Sequence, residues 1–307
     1  MVRSFPLGIP TLYFAIGLFT VGCSSSTPPQ PVTPPPQHLT GTSYNFYLDV
    51  LHLRALDPAS GTYILWFRMT GDTALVKRPL TFWMVLRDSL AFPGTISLPH
   101  AADSIEEVSL SIEPDTSVPV PTSVIITGNF VVNNDSALLS TTNPGGIGNY
   151  ASAEAVVTFA TRSSDTNRAK SEFYLMQFQN GVPVASGVDF PIPPPGWSYG
   201  LWVLDSNFYP QHRFFYGSFL NPDSASSMGG EFPFPGGSNL APLNDPGARL
   251  EVTLEPDFST AADHPPAPSP FVVLWTRLRR FIDANDTIAL QNAWSATSPA
   301  GTLKLSQ

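Results

Sequence analysis

Thirty-three prolines and 22 glycines are spread through the 307 residues and cut the apolar sequence into short runs. Between these breaks a helical period of useful length is hard to find, whereas strict alternation recurs. Residues 107–113 set Val108, Leu110 and Ile112 on one face, with Ser109 and Ser111 on the other. Residues 249–255 do the same with Leu250, Val252 and Leu254 against Glu251 and Thr253. In 153–161, Ala155, Val157 and Phe159 share a side. The pattern predicts further strands over 45–53, 62–69, 80–87, 124–132, 172–179, 198–204, 213–220 and 271–277. Clusters such as Asn143-Pro144-Gly145-Gly146 and Pro233-Phe234-Pro235-Gly236-Gly237 read as loops. Short, punctuated, alternating segments specify an all-β fold.

The start of the chain obeys different rules. Arg3 and the α-amino group give a small positive start, residues 5–19 are largely apolar, and small residues lead to Cys23. These are the zones of an export signal over residues 1–22, and the apolar stretch is shorter than the roughly 20 residues that span a bilayer. The run Phe19-Thr20-Val21-Gly22-Cys23 resembles the bacterial lipobox, with Thr20 in place of the usual leucine. That resemblance implies cleavage between Gly22 and Cys23, lipid attachment at Cys23, and the membrane as a partner through that lipid. The alternative, an ordinary signal peptide, leaves the chain's single cysteine with no intrachain disulfide partner. Residues 23–40 are rich in Ser and Pro and lack the apolar content for a core. Such a tether is disordered yet extended and, at about 3.1 Å per residue, reaches roughly 50 Å. Ser24 after the cysteine points to the outer membrane over the inner one if the host has two.

Of the 15 basic residues only Arg3 falls within 1–22, so 14 remain against 24 acidic ones, a net charge of −10. That balance argues against nucleic acid as a partner. Hydrophobic residues make up 42% of the chain, enough for a sizeable core.

Two sections of the sequence are alike. Tyr63-Ile64-Leu65-Trp66 corresponds to Tyr199-Gly200-Leu201-Trp202. Residues 108–115, ending Ile112-Glu113-Pro114-Asp115, correspond to 250–257, ending Leu254-Glu255-Pro256-Asp257. A proline-containing loop and an apolar run follow each, at 121–126 and 268–273. The offsets are 136, 142 and 147 residues, so order is kept while loops change length. The expected organisation is two tandem Ig-like β-sandwich domains, 41–165 and 166–307, joined in the polar stretch 162–170. A Tyr-x-Leu-Trp strand, a strand ending in Glu-Pro and a proline loop before a valine-rich strand resemble the extracytoplasmic C-terminal domain of anti-sigma-K-type factors. The resemblance covers about 70 residues of each half, and it implies a β-sandwich outside the cytoplasm. Inhibition of a sigma factor does not carry over, because such factors also have a cytoplasmic helical domain and a transmembrane helix.

Candidate chemistry is sparse. His38, His52, His100, His212 and His264 are solitary, with no metal-ligand spacing, so neither metal nor cofactor is called for. A nucleophile elbow, a phosphate-cradling loop and a nucleotide fingerprint are absent. Glu113 with Asp115, and Glu255 with Asp257, could bind calcium in exposed loops. The simpler reading is that they sit solvated at strand ends, since Pro114 and Pro256 cannot donate to a ladder. Aromatic residues crowd 197–216, and Trp197, Tyr199, Trp202 and Tyr209 are candidate ligand-facing rings, although strand aromatics mostly fill cores. The reading is a non-catalytic, membrane-anchored envelope lipoprotein acting as a binding or structural module on a protein or glycan of the envelope. The alternative is a carbohydrate- or peptidoglycan-binding module that uses surface aromatics. An enzyme would need carboxylates or histidines that only the fold brings together.

Overall fold

A computed structural model of the chain describes residues 42–81, 83–86, 89–160, 172–175, 177–179, 182–184, 190–205, 212–220, 248–260, 267–278 and 286–307. The fold is all-β. In chain order the strands are β1 (Ser43–Leu51), β2 (Thr62–Met69), β3 (Leu75–Pro79), β4 (Met84–Leu86), β5 (Ser89–Ser97), β6 (Ile105–Glu113), β7 (Ser123–Val131) and β8 (Ser136–Ser140). Then come β9 (Val156–Ala160), β10 (Glu172–Tyr174), β11 (Gln177–Gln179), β12 (Val182–Val184), β13 (Trp197–Asp205) and β14 (His212–Phe219). The last are β15 (Arg249–Pro256), β16 (Val272–Arg277), β17 (Thr287–Ala289), β18 (Gln291–Asn292) and β19 (Ala300–Ser306). Nine form one antiparallel sheet in the order β3-β2-β6-β7-β8-β19-β1-β5-β4, and five form another in the order β14-β13-β15-β16-β18.

The repeat read from the sequence is a repeat in space. The order β3-β2-β6-β7 in the first sheet matches β14-β13-β15-β16 in the second. Register matches too: Tyr63 lies opposite Ile112 and Trp66 opposite Ser109, as Tyr199 lies opposite Leu254 and Trp202 opposite Glu251. Each copy shifts register at the equivalent place, between Leu110 and Ser111 and between Val252 and Thr253. A bulge leaves backbone groups outside the ladder, and once buried these need partners. Val124 O accepts from the Trp197 indole at 3.0 Å, and Ile125 O accepts from Ile147 N at 3.0 Å. At the corresponding carbonyls, Val272 O accepts from Thr297 Oγ1 at 2.7 Å and Val273 O from Ala293 N at 2.9 Å.

The expected boundary at 165 does not separate the sheets. β19, near the end of the chain, lies between β1 and β8 and places Leu303 and Leu305 in the core of the first sheet. Buried side chains from both halves, among them Leu65, Tyr150, Tyr199 and Trp294, belong to one hydrophobic cluster, and residues His38–Gln307 form one unit. The expected strand at 80–87 is met in part: β3 ends at Pro79, Leu80 turns into the core, and among the described residues only Met84–Leu86, β4, is strand within that range. Among the described residues no helix is long and apolar enough to cross a membrane.

Candidate functional site: a charged cleft on the second copy

Alternation along β15 puts Leu250, Val252 and Leu254 in the core and Arg249, Glu251, Thr253 and Glu255 on the opposite face. In a one-layer reading that face meets water. Here it is covered. Glu251 is 4% exposed and Glu255 1%, so the expectation that Glu255 is a solvated strand end is corrected. Trp202 lies beside Glu251 on β13, and the loop after β1 together with residues 267–270 walls off a cavity of about 400 Å3. Its polar lining is Arg54, Asp57, Ser60, Arg213, Arg249, Glu251, Glu255 and Ser269; Leu56, Leu204 and Pro268 supply apolar wall.

Each acid in this cleft has its own company. Glu255 Oε1 accepts from Trp202 Nε1 at 2.9 Å, Thr253 Oγ1 at 2.5 Å and Ser269 N at 3.0 Å. Burial pushes its carboxyl up to about 7, against the opposing pull of those donors; nearby Glu251 adds to the rise. Glu251 Oε1 stands 2.6 Å from Arg249 Nε, a close ion pair whose N–H is not aligned as a hydrogen bond. Burial also raises the Glu251 carboxyl, with Arg249 and Arg54 pulling it back. The Arg249 guanidinium lies 4.4 Å from the centre of the Trp275 ring, a cation–π contact.

The first copy shows which of these features belong to the shared scaffold. Glu113, at the position of Glu255, is fully buried and accepts from Thr122 N at 2.8 Å and Thr122 Oγ1 at 2.5 Å. Both acids thus bind the proline loop that follows their strand. Trp66, at the position of Trp202, donates instead to Ser111 Oγ at 2.8 Å. The position of Glu251 is held by Ser109, so the second acid is missing. Lys77 lies 5.7 Å from the Trp66 ring and donates to Thr116 O at 2.8 Å and Val118 O at 2.5 Å, bridging the outer side of this copy.

The aromatic candidates do not form a platform. Trp197, Tyr199 and Trp202 are buried at 1%, 0% and 1% exposure. Each polar tip is spent inside: Trp197 on Val124 O, Trp202 on Glu255, and the Tyr199 hydroxyl on Pro191 O at 2.5 Å. Of the two readings, core packing holds for these three rings rather than a ligand-facing role, because both faces of β13 are covered. Tyr209, Gly22 and Cys23 lie outside the described residues. The Glu–Asp pairs do not converge either. Asp115 turns outward to accept from Ser117 N at 2.6 Å, and Asp257 opens the short helix Asp257–Thr260. Among the described residues no group of three His, Cys, Asp or Glu side chains could hold a metal ion.

The chain matches no protein-family model, no curated protein and no solved structure. The site therefore rests on its own geometry. Sequence reasoning placed Glu251 correctly on the outer face of its strand, and the serine at the equivalent place in the repeat was the available signal that it is special. Nothing in the sequence brought Arg54 or Arg213 to it, since the nearer of the two stands 36 positions from Arg249.

Proposed function

We propose that this chain is an exported lipoprotein, anchored in the cell envelope by lipid on Cys23. Its β-structured part acts as a non-catalytic binding module, and the cleft beside β15 is the binding site. The single observation that carries the reading is the divergence of the two copies: one scaffold, bridged by Lys77 in the first and lined by three arginines in the second. The Arg249–Glu251 pair has a buried acid but an arginine 38% exposed, and such solvent-screened pairs contribute little net stability, so a merely structural role gives no reason for the charges. The anchor reading is supported by the lone cysteine after Gly22 and by the Ser/Pro tether that follows it. The extracytoplasmic β-sandwich implied by the resemblance to anti-sigma-K-type factors agrees with that placement.

Two experiments test the two halves of this reading. Cells fed labelled palmitate incorporate it into the chain, and Cys23→Ala abolishes the label; unchanged labelling refutes the anchor. Cross-linking in intact envelopes captures a reproducible partner of the wild-type chain. Failure to find any, together with a turnover detected for the purified protein, refutes the non-catalytic binding role.

A further inference from the structure

The mature chain carries a net charge of −10 and only 14 basic residues, yet three of these, Arg54, Arg213 and Arg249, line one cavity of about 400 Å3. The acids of the same cavity are already engaged. Glu251 holds Arg249 in an ion pair, and Asp57 accepts from Ala59 N at 3.1 Å, capping a helical turn. Glu255 is saturated by Trp202, Thr253 and Ser269, and with its carboxyl pushed up to about 7 it carries only a fraction of a charge at neutral pH. Arg54 and Arg213 are exposed at the rim, on different elements: the loop after β1 and strand β14. Neither forms a direct ion pair among the described residues, although Arg54 stands near enough to Glu251 to pull its carboxyl down.

A guanidinium offers five N–H donors in a planar fork that matches the oxygens of a carboxylate or a phosphate. In a cavity with low-dielectric walls such a pair also focuses its field, against the negative background of the rest of the surface. A cationic ligand would face Arg54 and Arg213, Arg249 being already paired with Glu251, and a neutral sugar would leave both forks without a counter-charge from the ligand. We infer that the cleft of the second copy binds a small oxyanion, a carboxylate or a phosphate group, through the guanidinium groups of Arg54 and Arg213. This inference rests on the binding-module reading and names the chemistry of its ligand.

The test is calorimetric titration of the full-length chain, purified in a neutral maltoside, with inorganic phosphate and separately with citrate. Ionic strength is held constant with sodium chloride, and glucose is the neutral control. The expected result is saturable binding of at least one anion and none of glucose, weakened tenfold or more by combined Arg54→Gln and Arg213→Gln. Arg68→Gln, which removes an arginine outside the cleft paired with Glu107 at 2.5 Å, leaves binding unchanged. Binding of phosphate alone assigns a phosphate ligand, and binding of citrate alone a carboxylate. Both mutated arginines are exposed, so melting temperatures within a few degrees of wild type verify that the fold is kept. The inference is overturned if neither anion saturates or if the double variant binds like wild type. Palmitate labelling and envelope cross-linking do not depend on this titration, so failure here leaves the binding-module reading standing on its own tests.

Discussion

Glu255 and Glu113 are the residues through which each copy holds its proline loop. A buried N–H left without an acceptor costs about 1–3 kcal/mol, and in the second copy one carboxylate answers Trp202, Thr253 and Ser269 together. That service has a pH signature. The folded-state carboxyl of Glu255 is raised from 4.5 to about 7, so between those values the fold keeps a proton that the unfolded chain has released. The stability from this group is fully present below about pH 4.5 and is lost as pH rises through about 7. Calorimetric melts of Glu255→Gln and wild type therefore agree near pH 4.5 and diverge above it. By pH 8 the variant melts several degrees higher, at about 2–4 °C per kcal/mol; a wild-type advantage that grows with pH would contradict this. Glu251, raised in the same direction, leaves a residual slope in the variant.

At the scale of elements, the copies are held by what happens at strand ends and bulges. The carbonyls freed by the two bulges are claimed by groups far away in sequence, such as Trp197 for Val124 and Thr297 for Val272. Gly196, just before β13, has φ +86°, and a Cβ there would lie 1.9 Å from Thr122 O, because the chain passes directly against the other copy's proline loop. Gly71 has φ +79° but open space around it. Alanine at Gly71 meets only backbone strain, about 1–2 kcal/mol. At Gly196 it must also displace main chain. Chemical denaturation of the two variants is expected to show Gly196→Ala as the larger loss by 2 kcal/mol or more, and equal losses would contradict the close approach. Most of these elements were legible: β2 over Thr62–Met69 falls where the alternation puts it, and β6, β7, β13, β15 and β16 fall within two residues of expectation. β5 was missed because Pro93 and Gly94 interrupt its alternation; Gly94 is needed where the Phe46 ring would lie 2.6 Å from a Cβ.

For the whole molecule, the decisive connection is the return of β19 to the first sheet. Seven of its residues pair with β1 and five with β8, so removing it opens two edges and uncovers core. Unpaired edges of this kind invite association. Residues 41–165 expressed alone are therefore expected to run as soluble multimers or inclusion bodies, without a cooperative melt. A monomer by size exclusion with a sharp thermal transition would show that the first sheet closes without β19. Ending the full chain at Ser298 is expected to have the same effect for the same reason.

The sequence by itself determined the all-β class, the positions of most strands, the repeated unit and its order, and the singular cysteine. These follow from local rules: alternation at period two, the backbone limits of proline and glycine, and composition. The tertiary structure alone decided that the outer face of β15 is covered, that Trp197, Tyr199 and Trp202 are core, that β19 crosses back, and that Arg54 and Arg213 meet Glu251 in one cleft. Alternation states which residues share a face of a strand and is silent on what lies over that face. The covering elements are fixed by contacts between distant parts of the chain, where no local pattern reaches.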